Sequence, residues 1–167
     1  MAEAAPEQAT FDDVDAPPLI RWHPSARIHP DAHVGTPAEW IGHPTRFPAV
    51  IGRDAVIREA ARVHAGCDRE TRIGPGTLVM SGAHVGHDAQ VGAECRIAPN
   101  AVVCGLVTIG NNVKVGAGAV IKQRVTIGNN VVIGAQSMVT KDIPDDETWS
   151  GVPAKRMHAY RQPVKPT

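Results

Sequence analysis

The chain of 167 residues is 43% hydrophobic and carries 17 lysines and arginines against 17 aspartates and glutamates, so its formal net charge is zero. This composition indicates a single globular domain and, without a basic run, no nucleic-acid or anionic-membrane partner. No basic leader precedes an apolar stretch, and no window of about 18 apolar residues appears, so we expect a cytoplasmic protein. The cysteines lack zinc-site and disulfide spacing, which predicts buried thiols at Cys67, Cys95 and Cys104.

Irregular regions precede, interrupt and follow the regular part of the chain. Residues 1–20 are acidic and proline-bearing, and we expect a flexible arm there. Residues 21–144 are predicted to form the folded body, with loop excursions near 36–49 and 68–71. Residues 145–167 are predicted to form a short C-terminal tail.

A six-residue repeat runs through the body. "VTIGNNV" occurs at 107–113 and again at 125–131, a spacing of three sixes. Every sixth residue from 73 to 139 is valine or isoleucine: Ile73, Val79, Val85, Val91, Ile97, Val103, Ile109, Val115, Ile121, Ile127, Ile133 and Val139. Four positions after each of them stands a small or β-branched residue. Helices need 3.6-residue spacing and amphipathic strands need alternation, so neither pattern fits. The repeat predicts an all-β fold, a parallel β-helix with three hexads in each coil.

The corners of such a coil need residues that tolerate left-handed backbone. Glycine often follows the aliphatic residue directly, as at Gly74 and Gly92, and asparagine pairs stand at 111–112 and 129–130. Both residue types suit positive φ. We therefore predict that these glycines and asparagines form the corners.

Two histidines and an aspartate stand out in "AHVGHDAQVG": His84, His87 and Asp88. When the insertion near 68–71 is left out of the six-residue count, successive coils stack four equivalent residues in one vertical column. Each stands two positions after an inward aliphatic residue: Ala65, His87, Gly105 and Gln123. Small neighbours leave space around His87 that a merely packed histidine does not need. Asp88 is placed to fix the imidazole tautomer, as a carboxylate does beside a histidine base. The pattern makes His87 a candidate for a catalytic histidine, with His64 and His84 close by.

The hexads resemble the hexapeptide-repeat acyltransferase superfamily over roughly residues 25–157. "HVGHDAQVGAECRIAPNAVV", "GAGAVI", "VTIGNNVVIGAQSMVTKDIPD" and "SGVPAKRM" are similar to N-acetyltransferases of nucleotide-linked sugars. "IREAARVH" followed by "HVGHD" is similar to the UDP-N-acetylglucosamine O-acyltransferases. The resemblance implies left-handed winding and a homotrimer with active sites between subunits. Both relatives imply that His87 is the base, but the first uses acetyl-CoA and the second acyl carrier protein.

Acetyl-CoA is the acyl donor that the resemblance favours, because "GVPAKRM" is common among acetyl-CoA enzymes of the superfamily. Candidates for the phosphates of coenzyme A are Lys141, Lys155 and Arg156, and a backbone N–H near Gly105 is the candidate oxyanion donor. Arg96 is a further cofactor-binding candidate, because it stands where many of the N-acetyltransferases carry a second histidine near the acetyl group.

For the acceptor, the resemblance implies only a class of molecule and not one substrate. His64 and His84 are assigned to the substrate, and no metal is assigned. The O-acyltransferases carry a histidine where this chain has Leu106. The predicted reaction is acetyl transfer to an amine or hydroxyl of a small-molecule acceptor, a sugar or nucleotide-sugar, with His87 and Asp88 catalytic.

Three other functions compete with this prediction. An acyl-carrier-protein-dependent O-acyltransferase of a UDP-sugar is the first. A γ-class carbonic anhydrase, with zinc on His64, His84 and His87, is the second, although the spacing of these histidines does not match that family's ligands. The third is a non-catalytic assembly subunit. Cys104 lies beside an inward valine without an adjacent base, so we expect a structural thiol.

Overall fold

The computed structural model describes residues 20–36 and 45–157. Within these ranges every regular element is a strand; there is no helix, and so none that is long and apolar enough to cross a membrane. The predicted arm lies outside the described residues except for Ile20, which begins the first strand. Most of the first excursion, residues 37–44, also lies outside them.

The described strands form three sheets, numbered here in chain order. The first sheet contains β1 (Ile20–Trp22), β4 (Ala49–Ile51), β7 (Thr71–Ile73), β10 (Gln90–Val91), β13 (Thr108–Ile109) and β16 (Thr126–Ile127). The second contains β2 (Arg27–Ile28), β5 (Val56–Ile57), β8 (Leu78–Val79), β11 (Arg96–Ile97), β14 (Lys114–Val115), β17 (Val132–Ile133), β19 (Thr148–Ser150) and β20 (Lys155–Arg156). The third contains β3 (His33–Thr36), β6 (Arg62–His64), β9 (His84–Val85), β12 (Val102–Val103), β15 (Val120–Ile121) and β18 (Met138–Val139).

Strand pairing is parallel throughout except between β19 and β20. Val85 pairs with Val103, and Val103 with Ile121, so each coil takes three hexads and each sheet is one face of the solenoid. The fold is the predicted left-handed parallel β-helix of hexapeptide repeats. Its parallel register is what stacks equivalent positions of successive hexads into columns.

The interior consists of the two predicted inward positions of each hexad. Ile97 and Ala101, for example, are fully buried, as are the matching residues of nearly every coil. Cys67 and Cys95 are buried as predicted, whereas Cys104 is only partly buried because the position after an aliphatic residue faces outward. Burial raises the pKa of all three thiols, which disfavours the thiolate form.

Left-handed backbone occurs at the third residue after nearly every aliphatic position from Ile51 to Ile133. The φ angle is 61° at Asp88 and 54° at Asn112, and the prediction for the second asparagine of each pair is confirmed. Gly74 and Gly92 also lie at corners as predicted, directly after β7 and β10, but they do not have left-handed φ. Glycine is needed at these positions because the backbones of successive coils approach closely: a Cβ on Gly74 would lie 2.4 Å from the backbone of Gly92 in the next coil.

The structure moves two of the predicted boundaries. Thr71 already belongs to β7 and is fully buried at an inward position, so the second excursion runs from the end of β6 at His64 to Glu70. Beyond residue 144, β19 continues the second sheet by pairing in parallel with β17, and β20 folds back on it. The stack therefore extends into the predicted tail.

Candidate active site

The predicted column around His87 is present in the structure. His87 follows β9 at the corner between the third and first sheets, two residues beyond Val85, and Gly105 holds the matching place beyond Val103. A Cβ on Gly105 would lie 2.4 Å from Nε2 of His87, so the imidazole rests directly against this glycine. The side chain of His87 is 12% exposed. The ring thus lies in a space that exists because residue 105 has no side chain.

Asp88 orients this ring. Its Oδ2 lies 2.6 Å from Nδ1 of His87, and the aspartate side chain is fully buried. An ionised carboxylate only accepts hydrogen bonds, so Nδ1 carries the proton and Nε2 carries the lone pair. Within the described part of the chain, Nε2 of His87 has no hydrogen-bond partner. The imidazole therefore presents a free basic nitrogen beside Gly105.

The other carboxylate oxygen of Asp88 is held by a backbone nest that sequence reasoning missed. Oδ1 accepts hydrogen bonds from the N–H groups of Cys67, Asp68 and Arg69, at 3.0, 2.9 and 2.8 Å. Successive N–H groups that converge in this way form an anion site. The only signal in the sequence is that the insertion into the repeat comes one coil before "HVGHD".

The environment keeps Asp88 ionised. Burial by itself raises the pKa of this carboxyl, but the hydrogen bonds from His87 and from the backbone of Arg69, Asp68 and Cys67 outweigh it, and the pKa is lowered. A stable negative charge beside Nδ1 favours the tautomer with a basic Nε2. It also stabilises the imidazolium that forms when Nε2 takes a proton.

His64 and His84 lie on the same sheet as a stacked pair. Their ring centroids are 4.6 Å apart in an edge-to-face arrangement. Burial, followed by the proximity of His84, His87 and Arg62, lowers the pKa of His64 to about 4. Burial and Arg62 also lower the pKa of His84. Both imidazoles are therefore neutral at neutral pH, and among the described residues neither has a hydrogen-bond partner, which leaves their nitrogens available to a polar ligand.

The amide of Gly105 is a second available group. At the equivalent corner of another face, the N–H of Ala93 donates to Oδ1 of Asn111 at 2.8 Å, and the N–H of Asn111 donates to Oδ1 of Asn129 at 2.9 Å. The N–H of Gly105 has no such acceptor within residues 20–36 and 45–157. Buried N–H groups are rarely left unpaired, so an oxyanion beside His87 would satisfy it.

The structure places only some of the predicted coenzyme A-binding cations near His87. Lys141 extends the His87 column, three coils above the base and about 14 Å from it at roughly 4.8 Å per coil. Arg96 lies in β11 of the second sheet, so a single chain does not bring it to His87. Lys155 is exposed in β20, whereas Nε of Arg156 is already 3.0 Å from Oε1 of Glu147. Only Lys141 of this group shares the column with His87.

Two further cations near the column were not predicted. Lys122 and Arg124 flank Gln123, one coil above Gly105, and both are exposed. Neither forms a salt bridge with a described residue. Their signal in the sequence, "IKQRV", becomes visible only when the register places it above the base.

Donor atoms suitable for a metal also meet here. Within the described ranges, one group of side chains brings its ligand atoms within 4.8 Å of one another, namely Cys67, His87 and Asp88. Both oxygens of Asp88 are already hydrogen-bonded, and burial, followed by the charges of Asp88 and Asp68, raises the pKa of the Cys67 thiol. The arrangement fits a hydrogen-bonded base better than a ligand set. The alternative zinc set of three histidines does not form such a group within one described chain.

Comparison with known proteins agrees with the fold. The family model for the bacterial transferase hexapeptide (six repeats) matches residues 70–105 and 107–141. Over 135 residues, the chain is 36% identical to acyl-(acyl-carrier-protein)–UDP-N-acetylglucosamine O-acyltransferase from Pseudomonas paraeruginosa, covering 77% of this chain and 52% of that protein. The Pseudomonas aeruginosa protein matches to the same extent. The chain thus spans about half the length of the curated relatives it matches.

This chain is similar to solved structures of both kinds of relative that the sequence predicted, an O-acyltransferase and a sugar N-acetyltransferase. LpxA from Acinetobacter baumannii is 31% identical with a TM-score of 0.80, covering 83% of this chain and 55% of that one. A perosamine N-acetyltransferase variant from Caulobacter crescentus, in complex with CoA and GDP-perosamine, is 26% identical with a TM-score of 0.61, covering 84% and 57%. The repeats, the stacked coils and these similarities together confirm the predicted superfamily. The chain belongs to the bacterial hexapeptide-repeat transferase family.

Proposed function

We propose that this protein is an acyltransferase that moves an acetyl group from acetyl-CoA to an amine or hydroxyl of a sugar or nucleotide-sugar. The observation that carries the proposal is the buried Asp88 bonded to Nδ1 of His87, which leaves Nε2 free against Gly105. Such a pair is a general base, and acyl transfer needs one. Acyltransferases of the same family, acting on UDP-N-acetylglucosamine or perosamine, support the reaction class.

The proposed reaction is direct transfer. Nε2 of His87 takes the proton from the acceptor amine or hydroxyl while that nitrogen or oxygen attacks the thioester carbonyl carbon. The N–H of Gly105 donates to the oxyanion of the tetrahedral intermediate. When the intermediate collapses, the carbon–sulfur bond breaks and the imidazolium returns the proton to the departing thiolate. No covalent acyl-enzyme forms, and Asp88 stabilises the imidazolium throughout.

The acceptor is proposed to lie against the stacked histidines. His64 and His84 are neutral, so each offers one donor and one acceptor nitrogen, which suits the hydroxyl groups of a sugar. Arg62 pairs in register with His84 and adds an exposed cation at the same place. These three side chains lie one to two coils below Gly105, on the acceptor side of the base.

The donor is proposed to lie along the upper part of the column. Lys141, Lys122 and Arg124 line the route upward from Gly105 and suit the phosphates of coenzyme A. Relatives in complex with CoA support this donor. The alternative, acyl carrier protein, is favoured by the likeness to LpxA, at a TM-score of 0.80.

A homotrimer is proposed as the working assembly, in the cytoplasm. The outer face of the third sheet carries a column of partly exposed apolar side chains, Val102, Val120 and Met138, beside the base. A second subunit on this face would cover the column and close the cleft. Arg96, on the second sheet, could then reach the cleft of a neighbour. Light scattering coupled to size exclusion tests the trimer.

The decisive experiment compares His87→Ala with the wild type. Thiol release from acetyl-CoA is measured with a panel of amino-sugar nucleotides, and in parallel with acyl-loaded carrier protein. His87→Ala should lower kcat on the order of 10²- to 10⁴-fold. His33→Ala is the matched control, since His33 is an exposed histidine of the same sheet, in β3. Near-normal turnover by His87→Ala would refute the assignment of the base, and transfer from the carrier protein alone would reassign the donor.

A further inference from the structure

The loop that joins β6 to β7 packs beneath the corner that carries His87. It leaves the regular hexads after His64 and returns at Thr71. Gly66 anchors it, because its N–H donates to the carbonyl of Phe47 at 2.8 Å while the N–H of Phe47 donates back at 3.1 Å. A Cβ on Gly66 would lie 1.7 Å from the carbonyl oxygen of Arg69, so the loop folds tightly on itself. An anchored, tightly folded loop is a rigid platform.

This platform engages all but one of the polar atoms of Asp88. Besides the three N–H groups on Oδ1, Oγ1 of Thr71 accepts a hydrogen bond from the N–H of Asp88 at 2.8 Å. Nε of Arg69 donates to the carbonyl oxygen of Asp88 at 2.9 Å. The atom left over is Oδ2, which faces Nδ1 of His87. Asp88 itself has a φ of 61°, the left-handed conformation that equivalent corner residues such as Glu94 and Leu106 share, so what sets Asp88 apart is this set of contacts.

We propose that the loop from Gly66 to Glu70, together with Thr71, is an orienting element that fixes Asp88 and through it the tautomer of His87. Thr71 and Arg69 are then positioning residues, since neither touches the reacting atoms. This inference deepens the proposed function and rests on it for its effect on turnover. Its effect on the tautomer exists in the resting protein, without any substrate.

The physical reason is that a carboxylate has two nearly equivalent oxygens and can rotate. Three N–H groups on Oδ1 make rotation costly, so Oδ2 stays aimed at Nδ1. Loss of the Thr71 hydroxyl leaves the buried N–H of Asp88 without its acceptor and loosens the corner at this point. A loosened Asp88 no longer holds the proton on Nδ1, and the fraction of His87 with a basic Nε2 falls.

The chain offers a closely matched control. Thr77 is also fully buried at an inward position, and its Oγ1 accepts a hydrogen bond from the N–H of Cys95 at 3.0 Å. It also donates to the carbonyl of Gly92 at 2.7 Å, so Thr77→Val loses more bonds than Thr71→Val does. Thr71→Ser restores the hydroxyl and serves as the conservative variant. Arg69→Gln has its own control in Arg72→Gln, whose exposed arginine pairs with Glu70 instead.

The test reads the tautomer of His87 directly, by long-range proton–nitrogen correlation spectra of the full chain labelled with ¹⁵N-histidine. In the wild type and in Thr77→Val, His87 should be predominantly Nδ1–H; in Thr71→Val it should become a mixture, and Thr71→Ser should recover the wild-type spectrum. Where transfer is measurable, kcat should fall on the order of 10- to 100-fold in Thr71→Val, with KM little changed, as for lost outer-shell partners.

The outcomes separate the two ideas. A wild-type tautomer in both Thr71→Val and Arg69→Gln would overturn the orienting role, whatever the enzyme does. A tautomer shift in a protein that transfers no acyl group from any donor would keep the orienting role and reject the proposed function. If Thr71→Val does not fold, Arg69→Gln decides alone, because Arg69 is exposed and its loss leaves the core intact.

Discussion

Replacing Gly105 with alanine should disable His87 while leaving the β-helix folded. The new Cβ would lie 2.4 Å from Nε2, 2.7 Å from Cε1 and 2.8 Å from Cδ2 of the imidazole. Ordinary contact begins at 3.4 Å, so the ring must retreat by about 1 Å. It cannot swing away freely, because Nδ1 is tied to Asp88 at 2.6 Å. Gly105 does not have left-handed φ, so alanine adds no backbone strain.

A displacement of about 1 Å at a catalytic group costs on the order of 10²-fold in rate, or about 2.7 kcal/mol of activation free energy. The assay is kcat for acetyl transfer, with the melting temperature measured in parallel. A double-mutant cycle isolates the cause: in the His87→Ala background, Gly105→Ala should cost little more, because the ring it strikes is gone. Wild-type turnover by Gly105→Ala would refute the reasoning, and an undiminished effect in the His87→Ala background would place its cause elsewhere.

Three other changes give separable outcomes. Asp88→Asn should lower kcat by about 10³- to 10⁴-fold, because an amide cannot hold the His87 tautomer. The same variant should lose most melting temperature above pH 4, because the pKa of Asp88 is lowered in the folded protein and its ionised form stabilises the fold there. The pKa of His64 is lowered to about 4, so the free energy of unfolding should fall as the pH drops from 6.5 towards 4, and less steeply in His64→Gln in denaturant titrations. Lys141→Ala should raise KM for acetyl-CoA about tenfold with kcat unchanged, whereas Arg156→Ala, already paired with Glu147, should change KM little.

The sequence predicted the fold because the repeat is local. Each hexad supplies its own inward pair, as Ile97 and Ala101 do, and stacking of identical units leaves one arrangement that buries both columns. The register also follows from the six-residue spacing, which predicts that His87 stacks against Gly105, as the structure shows. The glycines lie at the corners as predicted, but the expected positive φ was wrong, because glycine also serves where two backbones approach closely and the sequence does not distinguish the two cases.

The site itself was only half predictable. The histidine, its aspartate and the glycine follow from spacing, but the nest on Oδ1 consists of backbone N–H groups from Cys67 to Arg69, and no residue type identifies it. The family resemblance placed Arg96 near the acetyl group, yet within one chain Arg96 and His87 lie on different parts of the coil.

Residue type and period thus determined the solenoid, its core and the column of the base, because these depend on a pattern that every coil repeats. Tertiary structure alone decided how the base is held, and it added Lys122 and Arg124 to the predicted Lys141 as cations near the column. The support of the base arises where the repeat is broken, at the loop beneath Asp88, whereas Lys122 and Arg124 lie on a regular coil and come near the base only through the stacking of coils. At such breaks the chain's path is set by contacts between distant residues, such as Phe47 with Gly66, rather than by local periodicity.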